Sequence, residues 1–234
     1  MRLVTWNLGH RQNGHRRPAR LVTALMAIEP DIVLLVDRTP GSAARQLLDA
    51  LGDAGLVHRH MTGLPASGGV VLRASSTTVE PGVFGADAAE AMPSAVVHAY
   101  LPSGNLDVVS IRTRGRREIG SMQEERWVAL LRSASALKQR RTILVGEFGG
   151  CGGAATGAPP VIRRFIADGW HHALPAEGAW YTAAGDHDLC ADHAFLSPLL
   201  RQVDVRCPME AAGQRLAGRP DALSNRPPLV VDLQ

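Results

Sequence analysis

Aromatic residues are scarce in this 234-residue chain, at 4%. A surface that grips single-stranded nucleic acid by base stacking needs several aromatic faces, so the composition speaks against one. Cysteine is scarcer still. Cys151, Cys190 and Cys207 are odd in number and irregular in spacing, which does not suggest a disulfide framework and suits a reducing compartment. No apolar run approaches the roughly 20 residues that span a bilayer, so no membrane association is expected. The opening MRLVTWNLGH starts like a core strand and lacks the apolar region of a signal peptide, which makes a cytoplasmic location the expectation. Excess charge is lacking too. The formal net charge of +3, carried by arginine far more than by lysine, does not demand a nucleic-acid partner.

What is present is an ordinary globular mixture, 45% hydrophobic and 20% charged, which excludes disorder as the default. The length suits one large domain over residues 1–234. Strands are predicted over 2–6, 31–36, 68–73, 95–101, 106–112, 142–148, 191–197, 203–207 and 227–233. The run DIVLLV at 31–36 is continuously apolar, as a strand buried on both faces requires. Helical spacing of apolar residues predicts helices over 19–28, 42–51, about 121–137 and 161–169. The order is not a strict β-α-β alternation, so mixed sheets are expected rather than a doubly wound parallel sheet.

Four segments carry a more specific signal. They are VTWNLG at 4–9, EPDIVLLVD at 29–37, ILVGEFGG at 143–150 and LSNRPPLVVDL at 223–233. In this order they resemble the opening Trp-Asn strand, the Pro-Asp-Ile-Val-Leu-Leu-Gln-Glu strand, the Gly-Asp-Phe-Asn segment and the closing Ser-Asp-His-x-Pro of the endonuclease/exonuclease/phosphatase superfamily. GGVVLR at 68–73 and ADHAFLSP at 191–198 fit two intermediate strands, so the resemblance spans the chain. It implies a four-layered α/β sandwich, with two mixed β-sheets packed face to face and helices outside. It also implies a site on one rim, where Asn and Glu hold Mg²⁺, a hard cation that prefers oxygen ligands, and Asp-His pairs move protons.

The site positions depart from that pattern. Asn7 is kept, and so is Asp192. The Glu position holds Asp37 and the Asp of Gly-Asp-Phe-Asn is Glu147, each moved by about 1.5 Å, one C–C bond. The Asn that follows is Gly149. The closing Asp-His reads Asn225-Arg226, and the middle strand ends in Arg112 where the family has His. Arginine stays protonated at any relevant pH, so general acid–base help worth about 10²–10⁴ in rate is lost at both positions. The resemblance then implies a floor of Asn7, Asp37 and Glu147 beside a cationic side of Arg112 and Arg226. Such a site suits a phosphate, sulfate or carboxylate held by forked hydrogen bonds. Alternatively the arginines pair with the carboxylates and replace the metal internally, an expectation set slightly above Mg²⁺ held by Asp37 and Glu147.

Other groups carry weaker signals. His10 and His15 lie in a basic loop next to Asn7 and titrate near neutrality, so each is a candidate substrate contact or base. His187, Asp188, Cys190, Asp192 and His193 include zinc-ligand types, but their spacing matches no closed site, and a polar loop entering a strand is the plainer reading. His171-His172 after Trp170 reads as a half-buried turn. Cys151 has no identifiable activating base. The run RTRGRRE at 112–118 reads as a solvated basic loop rather than a nucleic-acid contact.

Three functions follow from these residues. The first is a repurposed, non-hydrolytic or metal-independent enzyme acting on an anionic or carbonyl-bearing small molecule. In it Arg112, Asn7, Asn225 and His10 bind the substrate, and Asp37, Glu147, Asp192 and Arg226 act at the reacting centre. The second is a Mg²⁺-dependent phosphoesterase or nuclease with shifted carboxylates. The third is an anion-binding protein without catalysis. The expectation leans to the first, with no cofactor, because most replacements keep polar, chemically capable side chains.

Overall fold

A computed structural model describes residues 1–8, 17–36, 42–61, 71–75, 78–82, 84–85, 96–112, 121–148, 160–175, 192–218, 221–224 and 226–234. The first sheet contains strands β1 (Arg2–Asn7), β2 (Ile32–Val36), β3 (His58–Met61), β4 (Val71–Ala74), β11 (Gln202–Arg206) and β14 (Leu229–Leu233), in the spatial order β11-β14-β1-β2-β4-β3. The second contains β5 (Glu80–Pro81), β6 (Val96–Leu101), β7 (Leu106–Arg112), β8 (Thr142–Glu147), β9 (His171–Ala173) and β10 (Asp192–Leu196), in the order β5-β6-β7-β8-β10-β9. A small hairpin, β12 (Glu210–Ala211) and β13 (Gln214–Arg215), stands apart. Both large sheets are mixed. Each has one parallel pair at its centre, β1 with β2 and β7 with β8, and antiparallel neighbours outside it.

Side-chain alternation divides the core into three. Leu3, Ile32, Leu34 and Val36 of the first sheet pack with Val97, Val108, Ile143, Val145 and Ala194 of the second. Their neighbours in sequence point the other way. Val4, Trp6, Val33 and Leu35 meet α1 (Arg17–Ala27) and α2 (Ser42–Asp53). Val96, Val109, Ile111, Leu144 and Phe195 meet α3 (Ser121–Leu137) and α4 (Pro160–Ala167). The layers therefore run helix, sheet, sheet, helix, which is the four-layered sandwich expected from the sequence. Strands apolar on both faces are what such a stack demands.

Most predicted elements are present within a residue or two, and β7 and α3 coincide with their expected bounds. The omissions are short strands. β3, β5 and β9 lie at sheet edges, where pairing on one side supplies the structure and the sequence carries little apolar alternation. His171-His172 lies on β9 rather than in a turn, because buried Trp170 and Ala173 anchor the segment against β10.

At the end of the second sheet remote from Arg112, a buried His98–Asp107 contact of 2.7 Å is joined by Arg140 at 2.9 Å. This cluster closes the sheet over the start of β7 and faces α3, not the space between the sheets.

Candidate active site

The topology gathers one rim. The parallel pairs bring the C-terminal ends of β1, β2, β7 and β8 to the same side of the sandwich. The antiparallel strands bring the start of β10 and the residues before β14 to that side too. Asn7 follows Leu3 and Thr5 on the inner face of β1, and Glu147 follows Ile143 and Val145 on the inner face of β8. Both therefore point into the gap between the sheets.

Arg112, Glu147 and Asp192 form one row across the second sheet. Arg112 on β7 is the register partner of Glu147 on β8, and Glu147 is the register partner of Asp192 on β10. Register partners share a face at a strand spacing of about 5 Å. A cation, a carboxylate and a second carboxylate thus stand side by side.

The two sheets meet through Glu147. Asn7 Nδ2 donates to its Oε2 at 3.3 Å, and Arg226 Nη1 donates to its Oε1 at 3.2 Å. The carboxylate side chain is only 13% exposed and the guanidinium 31%, so this pair is shielded from water more than a surface ion pair is. Both oxygens of the carboxylate receive a donor. It is one of the arginine–carboxylate contacts that the internal pairing would require, and Asp37, the other carboxylate of that pairing, lies outside the described residues.

These contacts bear on a metal. A cation at Glu147 would have to share its oxygens with a guanidinium and an amide donor. Among the described residues no group of three His, Cys, Asp or Glu side chains is close enough to hold a metal ion. Asp37, the other expected metal ligand, lies outside the described residues, as do Asn225, His10, His15, Gly149, Cys151, His187, Asp188, Cys190 and most of the 112–118 run.

Behind this row sits a pair that sequence reasoning did not connect. His193 follows Asp192 on β10 and faces the opposite side. Its Nδ1 lies 3.1 Å from His172 Nε2, and the His172 ring stacks on Phe195 at 4.7 Å between centroids. Burial pushes the His172 imidazole down to about 4, with the charge of His171 adding to it. Burial pushes His193 down to about 3, with His172 adding. Both are neutral in the folded chain. Below the ordinary value near 6.5 the unfolded chain takes up protons that the folded chain refuses, so stability falls as pH drops from about 6.5 towards those lowered values. At pH 5 His193 alone is expected to cost about 2 kcal/mol. Urea unfolding at pH 7.5 and 5.0 reads this as a lower midpoint at pH 5.0. A His193→Phe variant is expected to lose less over the same interval, and equal losses in the two proteins would contradict the assignment.

No protein-family model and no curated protein matches the sequence. Solved structures do match over the whole chain. The 3' phosphatase NExo from Neisseria, bound to a product DNA hairpin, is 21% identical with a TM-score of 0.70, covering 100% of this chain and 99% of that one. The human nocturnin catalytic domain with bound sulfate is 15% identical with a TM-score of 0.66, covering 100% and 93%. A mannosyl-6-phosphatase from Bacteroides thetaiotaomicron is 14% identical with a TM-score of 0.64, covering 100% and 99%. With the layer order, the two mixed sheets and the rim built on β1, β7, β8 and β10, these likenesses show that the chain has the fold of the endonuclease/exonuclease/phosphatase proteins.

Proposed function

We propose that the protein binds an anionic small molecule, a phosphate ester or a carboxylate, at the rim between its sheets. It acts on that molecule without a divalent cation at Glu147. The Arg226–Glu147 pair at 3.2 Å carries this reading. A guanidinium supplies the positive charge that a metal would bring to the carboxylate. It does not generate hydroxide from bound water as a metal can, and it does not serve as a general base. Its five donors lie in a planar fork, which lets one group hold a carboxylate and grip an oxyanion together. Arg112, in register with Glu147, adds a second cation. Asn7, Arg112 and Arg226 hold the substrate in this reading, while Glu147 and Asp192 are the groups that move protons. The names of the similar structures agree in kind, since they include a 3' phosphatase, a mannosyl-6-phosphatase and a protein with bound sulfate.

A second reading is a Mg²⁺-dependent phosphoesterase. The adjacency of Glu147 and Asp192 in register favours it, because two carboxylates on one face are the oxygen donors Mg²⁺ takes. Two measurements separate the readings. Calorimetric titration with inorganic phosphate in EDTA is expected to show binding, weakened about tenfold or more in Arg112→Ala, the loss of one charge-assisted contact. Hydrolysis of a generic phosphodiester is expected to be unaffected by Mg²⁺. Mg²⁺-dependent turnover that disappears in Asp37→Ala would establish the second reading and sink the first.

A further inference from the structure

We infer that Trp6 and Ser224 are positioning residues that hold Arg226 in place over Glu147. The inference deepens the proposed function and rests on its reading of Arg226 as the cation of the site. Arg226 belongs to the segment that leads into β14, which begins only at Leu229. Between them stand Pro227 and Pro228, which have no backbone N–H to donate. The ladder that fixes β14 therefore does not reach Arg226, and other bonds must set its position.

Those bonds come from the end of β1. The indole Nε1 of Trp6 donates to the carbonyl of Arg226 at 2.8 Å. Ser224 Oγ donates to the carbonyl of Asn7 at 2.7 Å and accepts from the backbone N–H of Arg226 at 3.2 Å. Both Trp6 and Ser224 are fully buried, so these bonds are sheltered from exchange with water. Arg17 Nη2 adds a brace, donating to the carbonyls of Leu8 at 2.8 Å and Leu223 at 2.6 Å.

The geometry ties two functions together. Asn7 and Arg226 approach the two oxygens of one carboxylate, and the Ser224 hydroxyl bonds the backbone of both. One side chain thus fixes the spacing of the two donors on Glu147. An arginine side chain has many rotamers open to it, and anchoring its backbone on both sides limits the arc its guanidinium can sweep. A site held this way is organised before its ligand arrives.

The test reads the order of the Arg226 side chain directly, with no need for a substrate. The ¹⁵N heteronuclear NOE of its Nε–Hε group, assigned by its loss in Arg226→Lys, is expected to be that of an ordered group in the wild type. In Ser224→Ala, and independently in Trp6→Phe, it is expected to fall by roughly half or more, into the range of mobile side chains. The Trp127 and Trp170 indole signals should keep their wild-type shifts, which a general loosening of the fold would move. Ser224→Thr keeps the hydroxyl and is expected to keep the NOE. An Arg226 signal as ordered in Ser224→Ala and Trp6→Phe as in the wild type would overturn the inference. Failure of the underlying anion-site reading shows itself differently, as a wild-type protein that does not bind inorganic phosphate.

Discussion

Gly146→Ala is expected to destabilise the protein by more than about 4 kcal/mol, in the range that single substitutions reach only through a specific steric or electrostatic fault. Two faults combine here. Gly146 has φ of +125°, a backbone conformation that residues with a Cβ rarely adopt. A Cβ at this position would also stand 2.1 Å from the carbonyl oxygen of Ile111, its register partner on β7. That neighbour is backbone inside a parallel pair, so it cannot swing aside as a side chain would. Relief requires β7 and β8 to separate at the row that holds Arg112 and Glu147. For a chain of this size a loss of about 4 kcal/mol lowers the melting temperature by roughly 8–16 °C. A thermal scan checks it, and a melting temperature within about 2 °C of the wild type would contradict the geometry. Because Gly146 immediately precedes Glu147, the site should suffer in whatever fraction still folds.

Arg226→Ala is expected to cost about 1–3 kcal/mol, more than Glu147→Gln. The asymmetry follows from what each change leaves behind. Removing the arginine takes one charged donor from a largely buried carboxylate, whose desolvation is then less well offset. Replacing Glu147 by Gln removes that charge and leaves Arg226 at a partly open position, 31% exposed, where water can reach it. A double-mutant cycle in urea gives the coupling, expected at about 0.5–3 kcal/mol for two groups in direct contact. A coupling near zero would mean that the contact does not contribute to the folded state.

Much of the fold is legible in the sequence because the strands are buried on both faces. Runs such as IVLLV at Ile32–Val36 and TILVGE at Thr142–Glu147 carry the signal of central strands, and the closing LSNRPPLVV places Arg226 just ahead of the last strand. The rim follows from these, since Asn7, Arg112, Glu147 and Asp192 each end or begin a core strand. What the sequence does not carry is which cation meets which carboxylate. Arg112 lies beside Glu147 along the sheet, whereas Arg226 reaches it across the gap between sheets. That choice is set by sheet packing and by the bonds from Trp6 and Ser224, not by local pattern. The His172–His193 pair is hidden for a similar reason. It depends on the pairing of β9, a three-residue edge strand, with β10.

In the proposed reading a guanidinium takes the place of a metal ion at Glu147, and calorimetric titration with Mg²⁺ and Mn²⁺ tests this most directly. The wild-type protein is expected to give no binding heat up to several millimolar metal, a bound set by the ion pair that a cation would have to displace. In Arg226→Ala, where Glu147 Oε1 loses its charged donor, metal affinity is expected to rise by about tenfold or more, the worth of roughly 1.4 kcal/mol. Tight metal binding by the wild type, unchanged or weakened in Arg226→Ala, would contradict the account.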